Sequence, residues 1–170
     1  MVENPSREEW ENNTVRLYDN AVCFTDGSRS LSHTGAGFYN HTKGERLSLP
    51  LRTLSSVFQA EIYAILQCAK SDNLRQRHND SIAICTDSQA ALKALSCHKI
   101  NSALVLETMA ALRELAIFNS VRLLWVPGHS GISGNEIADG LARQASAQSC
   151  LGPEPVLSIC LLYTSDAADE

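Results

Sequence analysis

Four acidic side chains stand at places where a folded chain exposes chemistry. Asp26 closes the apolar run AVCFT, and Asp87 closes the similar run SIAICT. Ligand crevices in α/β sheets open at the carboxyl ends of strands, so if the two runs are neighbouring strands their carboxylates meet. Two acids held together raise each other's pKa strongly unless a cation sits between them, which makes the pair either a metal site or a shared-proton site. Glu61, on a helical stretch between the two runs, and Asp139, on the last helical stretch, would add a third and a fourth oxygen donor. An all-oxygen set suits magnesium, with manganese as a substitute. Two such ions about 4 Å apart activate a water for in-line attack on a phosphodiester and stabilise the departing oxygen, with little further help from side chains. Four acids without an obvious nucleophile fit that chemistry. Taken singly, each acid has an ordinary explanation: Asp26 as a turn residue before Gly27, Asp87 as an N-cap for a helix at Gln89, Glu61 and Asp139 as solvated helix positions. The joint pattern carries the reading.

Positioning these acids requires strands that end where they stand. AVCFTDGS and SIAICTDS are short apolar runs stopped by a polar turn, as buried strands are. GAGFYN and ERLSLPL follow the first run as strand candidates, and His41, Lys43 and Gly44 lie in a connection short enough for a hairpin, which suggests an antiparallel meander. A helix is predicted to begin at Ser56, which forms a capping box with Gln59, and Phe58, Ile62, Ile65, Leu66 and Ala69 recur at helical spacing. SQAALKAL is helical in composition, and residues 102–118 carry Leu104, Val105, Thr108, Leu112 and Leu115 along one face, with Glu107, Arg113 and Glu114 off it. VRLLWV reads as a strand, residues 127–134 as a glycine-rich loop, and residues 135–147 as a last helix capped by Ser133 with Glu136. The predicted order is β-β-β-α-β-α-α-β-α, an α/β pattern with five strands. Residues 1–19 lack a period and read as a lead-in or linker, residues 20–148 as the domain, and residues 149–170 as an irregular tail. The last ten or so residues resemble translated sequencing-adapter read-through.

Composition narrows the class. A chain of 170 residues, 44% of them hydrophobic, has apolar surface enough for one core. No apolar run approaches the roughly 20 residues that span a bilayer, and MVENPSREEWENN is polar and acidic where a signal peptide is basic and then apolar, so an intracellular protein without membrane contact is expected. Cys23, Cys68, Cys85, Cys97, Cys150 and Cys160 contain no CxxC pair, and Cys23 and Cys85 lie inside apolar runs, so buried free thiols are expected over a disulfide or zinc framework. The formal net charge of -5 argues against a broad basic surface for nucleic acid. Setting four metal-bound acids aside leaves the rest of the chain near neutrality, and the cations would turn the site positive. No repeat indicates a solenoid.

The sequence resembles the ribonuclease H domain of bacterial, retroviral and retrotransposon type. The likeness rests on TDGS at residues 25–28, AEIYAI at 60–65, TDSQAAL at 86–92 and WVPGHSGISGNEIADGLA at 125–142, in that order and spacing over roughly residues 20–147. The last block is the most specific, since a strand, a proline-glycine loop with His129 and Asn-Glu-x-x-Asp on a helix rarely coincide. The resemblance implies a mixed sheet with helices on both faces, and hydrolysis of the RNA strand of an RNA–DNA hybrid to 5′-phosphate and 3′-hydroxyl ends. It implies that Asp26, Glu61, Asp87 and Asp139 hold two magnesium ions. His129, flanked by Gly128, Ser130 and Gly131, would be the mobile loop histidine that moves protons or releases product. Gly27, Ser28, Ser88 and Gln89 match positions near the minor groove of the hybrid, where contacts to 2′-hydroxyls distinguish RNA from DNA. Asn135 and Glu136 are expected to organise the last helix. Arg29, Lys43, Arg46 and Arg52 are candidate phosphate contacts, although a solvated face explains them equally well. No cleavage-sequence preference is expected, because backbone shape is read rather than bases.

Two departures from the family bear on partners. Cellular members often carry a basic, tryptophan-containing protrusion between the second and third helices, where this chain has the short SCHKINSA with only His98 and Lys99. The stretch before the domain is also short for a separate hybrid-binding domain. Both features point to the ribonuclease H domain of a non-LTR retrotransposon polyprotein, a monomer whose linked reverse transcriptase supplies the grip on nucleic acid. Two other classes compete. An inactive binding or connector module on the same fold would show a missing acid, and none is missing. A DNA strand transferase would need another site geometry and further DNA-binding segments, which the TDSQ and GHSG blocks do not suit.

Overall fold

The runs that end in Asp26 and Asp87 are adjacent parallel strands inside a six-stranded sheet. In the computed structural model, which describes residues 1–31, 33–51, 54–97 and 102–148, the strands are β1 (Val2–Glu3), β2 (Ala21–Arg29), β3 (Thr34–Asn40), β4 (Glu45–Leu51), β5 (Ser81–Thr86) and β6 (Ser120–Trp125). The helices are α1 (Arg7–Glu11) after β1, then α2 (Val57–Lys70) and α3 (Asp72–Arg75) before β5. They continue with α4 (Gln89–Ser96) and α5 (Ala103–Ala116) before β6, and end with α6 (Ser133–Ser146). The sheet order is β1-β6-β5-β2-β3-β4. β2, β3 and β4 form the expected antiparallel meander, and β2, β5, β6 and β1 run parallel.

The central strands are apolar without interruption because both of their faces are covered. Successive side chains point to opposite faces. Ala21, Cys23, Ile82, Ile84 and Leu123 therefore join one buried cluster with Ile62, Ile65 and Leu66 of α2, Leu92 of α4 and Leu104 of α5. The alternate residues Val22, Phe24, Ala83, Cys85 and Leu124 pack with Ala138, Ile137 and Leu141 of α6. At the start of α2, Ser56 and Gln59 form the predicted capping box, the Ser56 hydroxyl accepting from the Gln59 amide at 3.1 Å. The expected α/β sheet with helices on both faces is thus present.

Three features differ from the sequence expectation. The sheet has six strands rather than five, because the polar lead-in places Val2 beside Leu123 and Glu3 beside Leu124. Two residues are too few to show a strand period. α1 is a single capped turn with Ser6 and Glu9 as its capping box, and α3 is equally short, so neither has a helical period to read. At α6 the cap is Ile132 without a side-chain hydrogen bond, and Ser133 is already helical. The Glu136 carboxylate lies instead with His129 and Asp139. Among the described cysteines, Cys23, Cys68 and Cys85 are buried free thiols and Cys97 is an exposed one. Arg52, His98, Lys99, Cys150, Cys160 and the tail at 149–170 lie outside the described residues. No described helix is long and apolar enough to cross a membrane.

Candidate active site

The parallel register sets Thr25 opposite Thr86, so Asp26 and Asp87 leave the sheet side by side. α2 crosses the same end of β2, and one carboxylate oxygen from each of Asp26, Glu61 and Asp87 lies within 4.8 Å of the others. Gly27 permits this approach. A Cβ there would stand 2.6 Å from the Glu61 backbone nitrogen, so only a hydrogen fits between β2 and α2. The Gly27 amide favours the ionised form of both Asp26 and Glu61. α6 brings Asp139 near enough that its charge acts on Asp26 and Asp87.

Burial and mutual repulsion govern the acids. Asp26, Glu61 and Asp139 are all buried. Loss of solvent, followed by the charges of Asp87 and Asp139, pushes the Asp26 carboxyl up to about 7 from 3.8, against the Gly27 amide and Arg143, which favour ionisation. Burial, then Asp26 and Asp87, holds Glu61 well above the ordinary glutamate range. Burial also raises Asp87, with Asn135 and His129 opposing. Such a cluster is stable either with shared protons or with cations among the oxygens, which are the two alternatives the sequence left open. The donors fit hard divalent cations: they are carboxylate oxygens only, and the buried Glu61 Oε2 has no hydrogen-bond partner among the described residues.

Around the acids, the loop after β6 and the start of α6 supply further contacts. Asn135 Nδ2 donates to Asp87 Oδ2 at 3.4 Å, and the Trp125 indole donates to the Asp87 backbone carbonyl at 3.1 Å. Arg143 Nη2 stands 2.5 Å from Asp139 Oδ2, one turn along α6. His129 Nδ1 is 4.0 Å from the same oxygen, with the ring 80% exposed. The His129 backbone has φ of 51°, a left-handed conformation that a β-carbon makes costly, and Gly131 follows at 79°. Ser130 Oγ donates to the Pro127 carbonyl at 2.6 Å and closes the turn. An exposed imidazole is thereby carried to the rim of the acid cluster.

The structure thus brings Asp26, Glu61 and Asp87 into one group and sets Asp139 with His129 and Glu136 in a second, near enough that the Asp139 charge acts on Asp26 and Asp87. Ser88 caps α4, its hydroxyl accepting from the Ala91 amide at 3.3 Å, while Ser28 is half-buried and Gln89 exposed at the same end of the sheet. Arg29 and Lys43 are exposed, and the Arg46 guanidinium lies 5.5 Å over the Tyr39 ring. Asn135 and Glu136 do more than organise α6, because their side chains face Asp87 and Asp139. The i,i+4 spacing of Asp139 and Arg143 was a legible sign of their ion pair. Nothing in the sequence signalled the indole bond from Trp125.

Comparison with known proteins gives one consistent result. Residues 19–147 match the family described as RNase H. The chain is 27% identical over 150 residues to human Ribonuclease H1, covering 79% of this chain and 51% of that protein. It is 26% identical over 151 residues to rat Ribonuclease H1, covering 80% and 51%. The chain therefore spans about half the length of these curated relatives.

Proposed function

Because the chain belongs to the ribonuclease H family, we propose that it cuts the RNA strand of RNA–DNA hybrids endonucleolytically, with residues 20–148 as the catalytic unit. The observation that carries this reading is the convergence of Asp26, Glu61 and Asp87, whose oxygens lie within 4.8 Å of one another, with the charge of Asp139 acting on Asp26 and Asp87. Asp26, Glu61 and Asp87 would hold one divalent ion, and Asp26 with Asp139 would hold a second, since Asp26 feels the charges of both Asp87 and Asp139. When bound, magnesium, or manganese in its place, supplies the Lewis acidity that activates a water and stabilises the departing 3′ oxygen, giving 5′-phosphate and 3′-hydroxyl ends.

The remaining roles fall to the chain's own groups. His129, exposed on a conformationally constrained loop beside Asp139, accepts or delivers a proton at the edge of the site and clears the product. Asn135 holds the Asp87 carboxylate through its amide. Gly27, Ser28, Ser88 and Gln89 line the approach for 2′-hydroxyls of the RNA strand. With a net charge of -5, the chain as a whole grips the hybrid weakly as a monomer, and a linked reverse transcriptase in a non-LTR retrotransposon polyprotein supplies the affinity.

The test is cleavage of an end-labelled RNA–DNA hybrid with magnesium, beside Asp26→Asn and beside duplex RNA, duplex DNA and single-stranded RNA. RNA cutting confined to the hybrid and abolished in Asp26→Asn is expected. No cutting at high protein concentration in magnesium or manganese would refute catalysis by this chain.

A further inference from the structure

The segment before residue 19 lies outside the family match, yet it is built into the sheet. The Leu123 amide donates to the Met1 carbonyl at 2.8 Å. Arg122 of β6 donates to Glu3 at 2.8 Å, to Asp19 at 2.6 Å and to the Arg16 carbonyl at 3.1 Å. This parallel ladder has a gap. In the register of Val2 with Leu123 and Glu3 with Leu124, the next outward acceptor on β6 is the Trp125 carbonyl, and its partner would be the amide of residue 5. That residue is Pro5, which has no N–H. The Trp10 indole takes the acceptor instead, at 3.1 Å, while its ring packs against both apolar clusters. The Trp125 indole in turn donates to the Asp87 backbone carbonyl at 3.1 Å. The chain's two tryptophans therefore form a continuous link from the N-terminal segment to the backbone of a site carboxylate.

We infer that the N-terminal segment is a clasp that positions Asp87, with Trp10 as its positioning residue. Trp10 satisfies and holds the last carbonyl of β6, this orients Trp125, and the Trp125 indole fixes the backbone from which the Asp87 carboxylate projects. Cation affinity at the acid cluster then depends on a contact from outside the family's span. This inference rests on the metal-binding reading proposed above.

Trp10→Phe in the full chain retains an aromatic ring for packing and deletes the N–H. Manganese binding without nucleic acid is read by electron paramagnetic resonance of the free ion, with Trp125 fluorescence as a second signal. The variant should bind manganese about three- to tenfold more weakly, the loss expected from releasing one buried hydrogen bond that orients a ligand. Glu3→Gln, which weakens an Arg122 contact but leaves both indole bonds, should bind as the unaltered chain does. If the unaltered chain binds no manganese, the metal reading itself fails. If the unaltered chain binds and Trp10→Phe binds equally well, the clasp inference is overturned. It is overturned too if Glu3→Gln weakens binding as much as Trp10→Phe, since general loosening of the segment then accounts for the effect.

Discussion

Asp26→Asn should stabilise the metal-free fold at alkaline pH while destroying the site. Burial and the charges of Asp87 and Asp139 raise the Asp26 carboxyl from 3.8 to about 7. At about 1.4 kcal/mol per tenfold, ionising it in the folded state costs about 4 kcal/mol more than in the unfolded chain. Between those two values the folded state holds a proton that the unfolded chain has released. The stability tied to that proton is therefore complete below about pH 4, declines as pH rises, and is lost above about 7. An asparagine carries no charge, but its NH2 needs a partner among carboxylates. About half the penalty should be recovered, making Asp26→Asn about 2 kcal/mol more stable than the unaltered chain at pH 8 in chelator. Near pH 4, where Asp26 is protonated, the gain should vanish and the order reverse by up to about 2 kcal/mol, because the cost of the asparagine NH2 remains while the ionisation penalty of the unaltered chain is gone. Saturating divalent cation should reverse the order, because binding at a hundred times the dissociation constant adds about 2.7 kcal/mol to the unaltered chain alone. Urea unfolding followed by tryptophan fluorescence at pH 8 and near pH 4, with and without metal, measures each case. No gain at pH 8 in chelator, or an equal gain near pH 4, would refute the account of how these acids are held.

Other substitutions separate chemistry from folding. His129→Ala should leave stability within about 0.5 kcal/mol, since the ring is 80% exposed, while hybrid turnover falls about a hundredfold in a steady-state cleavage assay. Gly27→Ala should cost about 1–3 kcal/mol in urea unfolding and weaken manganese binding as well, because its Cβ would meet the Glu61 backbone nitrogen at 2.6 Å. Arg122→Met leaves the largely buried Asp19 without its cation and should cost about 2–3 kcal/mol, read as a lower midpoint in urea.

The strands carrying Asp26 and Asp87 were legible because each is a short apolar run cut off by a polar residue, and the start of α2 because Ser56 and Gln59 are a local pair with a local hydrogen-bond pattern. The same local logic missed β1, too short for a period, and misplaced the cap of α6, where the Glu136 carboxylate lies among distant partners. Asn135 was read as a helix residue because its neighbours in sequence say only that. Its contact with Asp87 spans two elements and 48 positions.

Periodicity and capping are properties of a few neighbouring residues, and so the order of the longer elements could be read from the chain alone and four acids nominated from it. Whether those acids share one site is a long-range matter. It depends on the register that sets Thr25 beside Thr86, on the missing side chain of Gly27 that lets α2 close over β2, and on the packing of α6 that delivers Asp139. The two-tryptophan link lies beyond sequence reading for the same reason: an indole fills a ladder position left without a donor by Pro5, and only the assembled sheet reveals that gap. Local pattern selects which groups are offered, and packing at distances of tens of residues decides which of them meet.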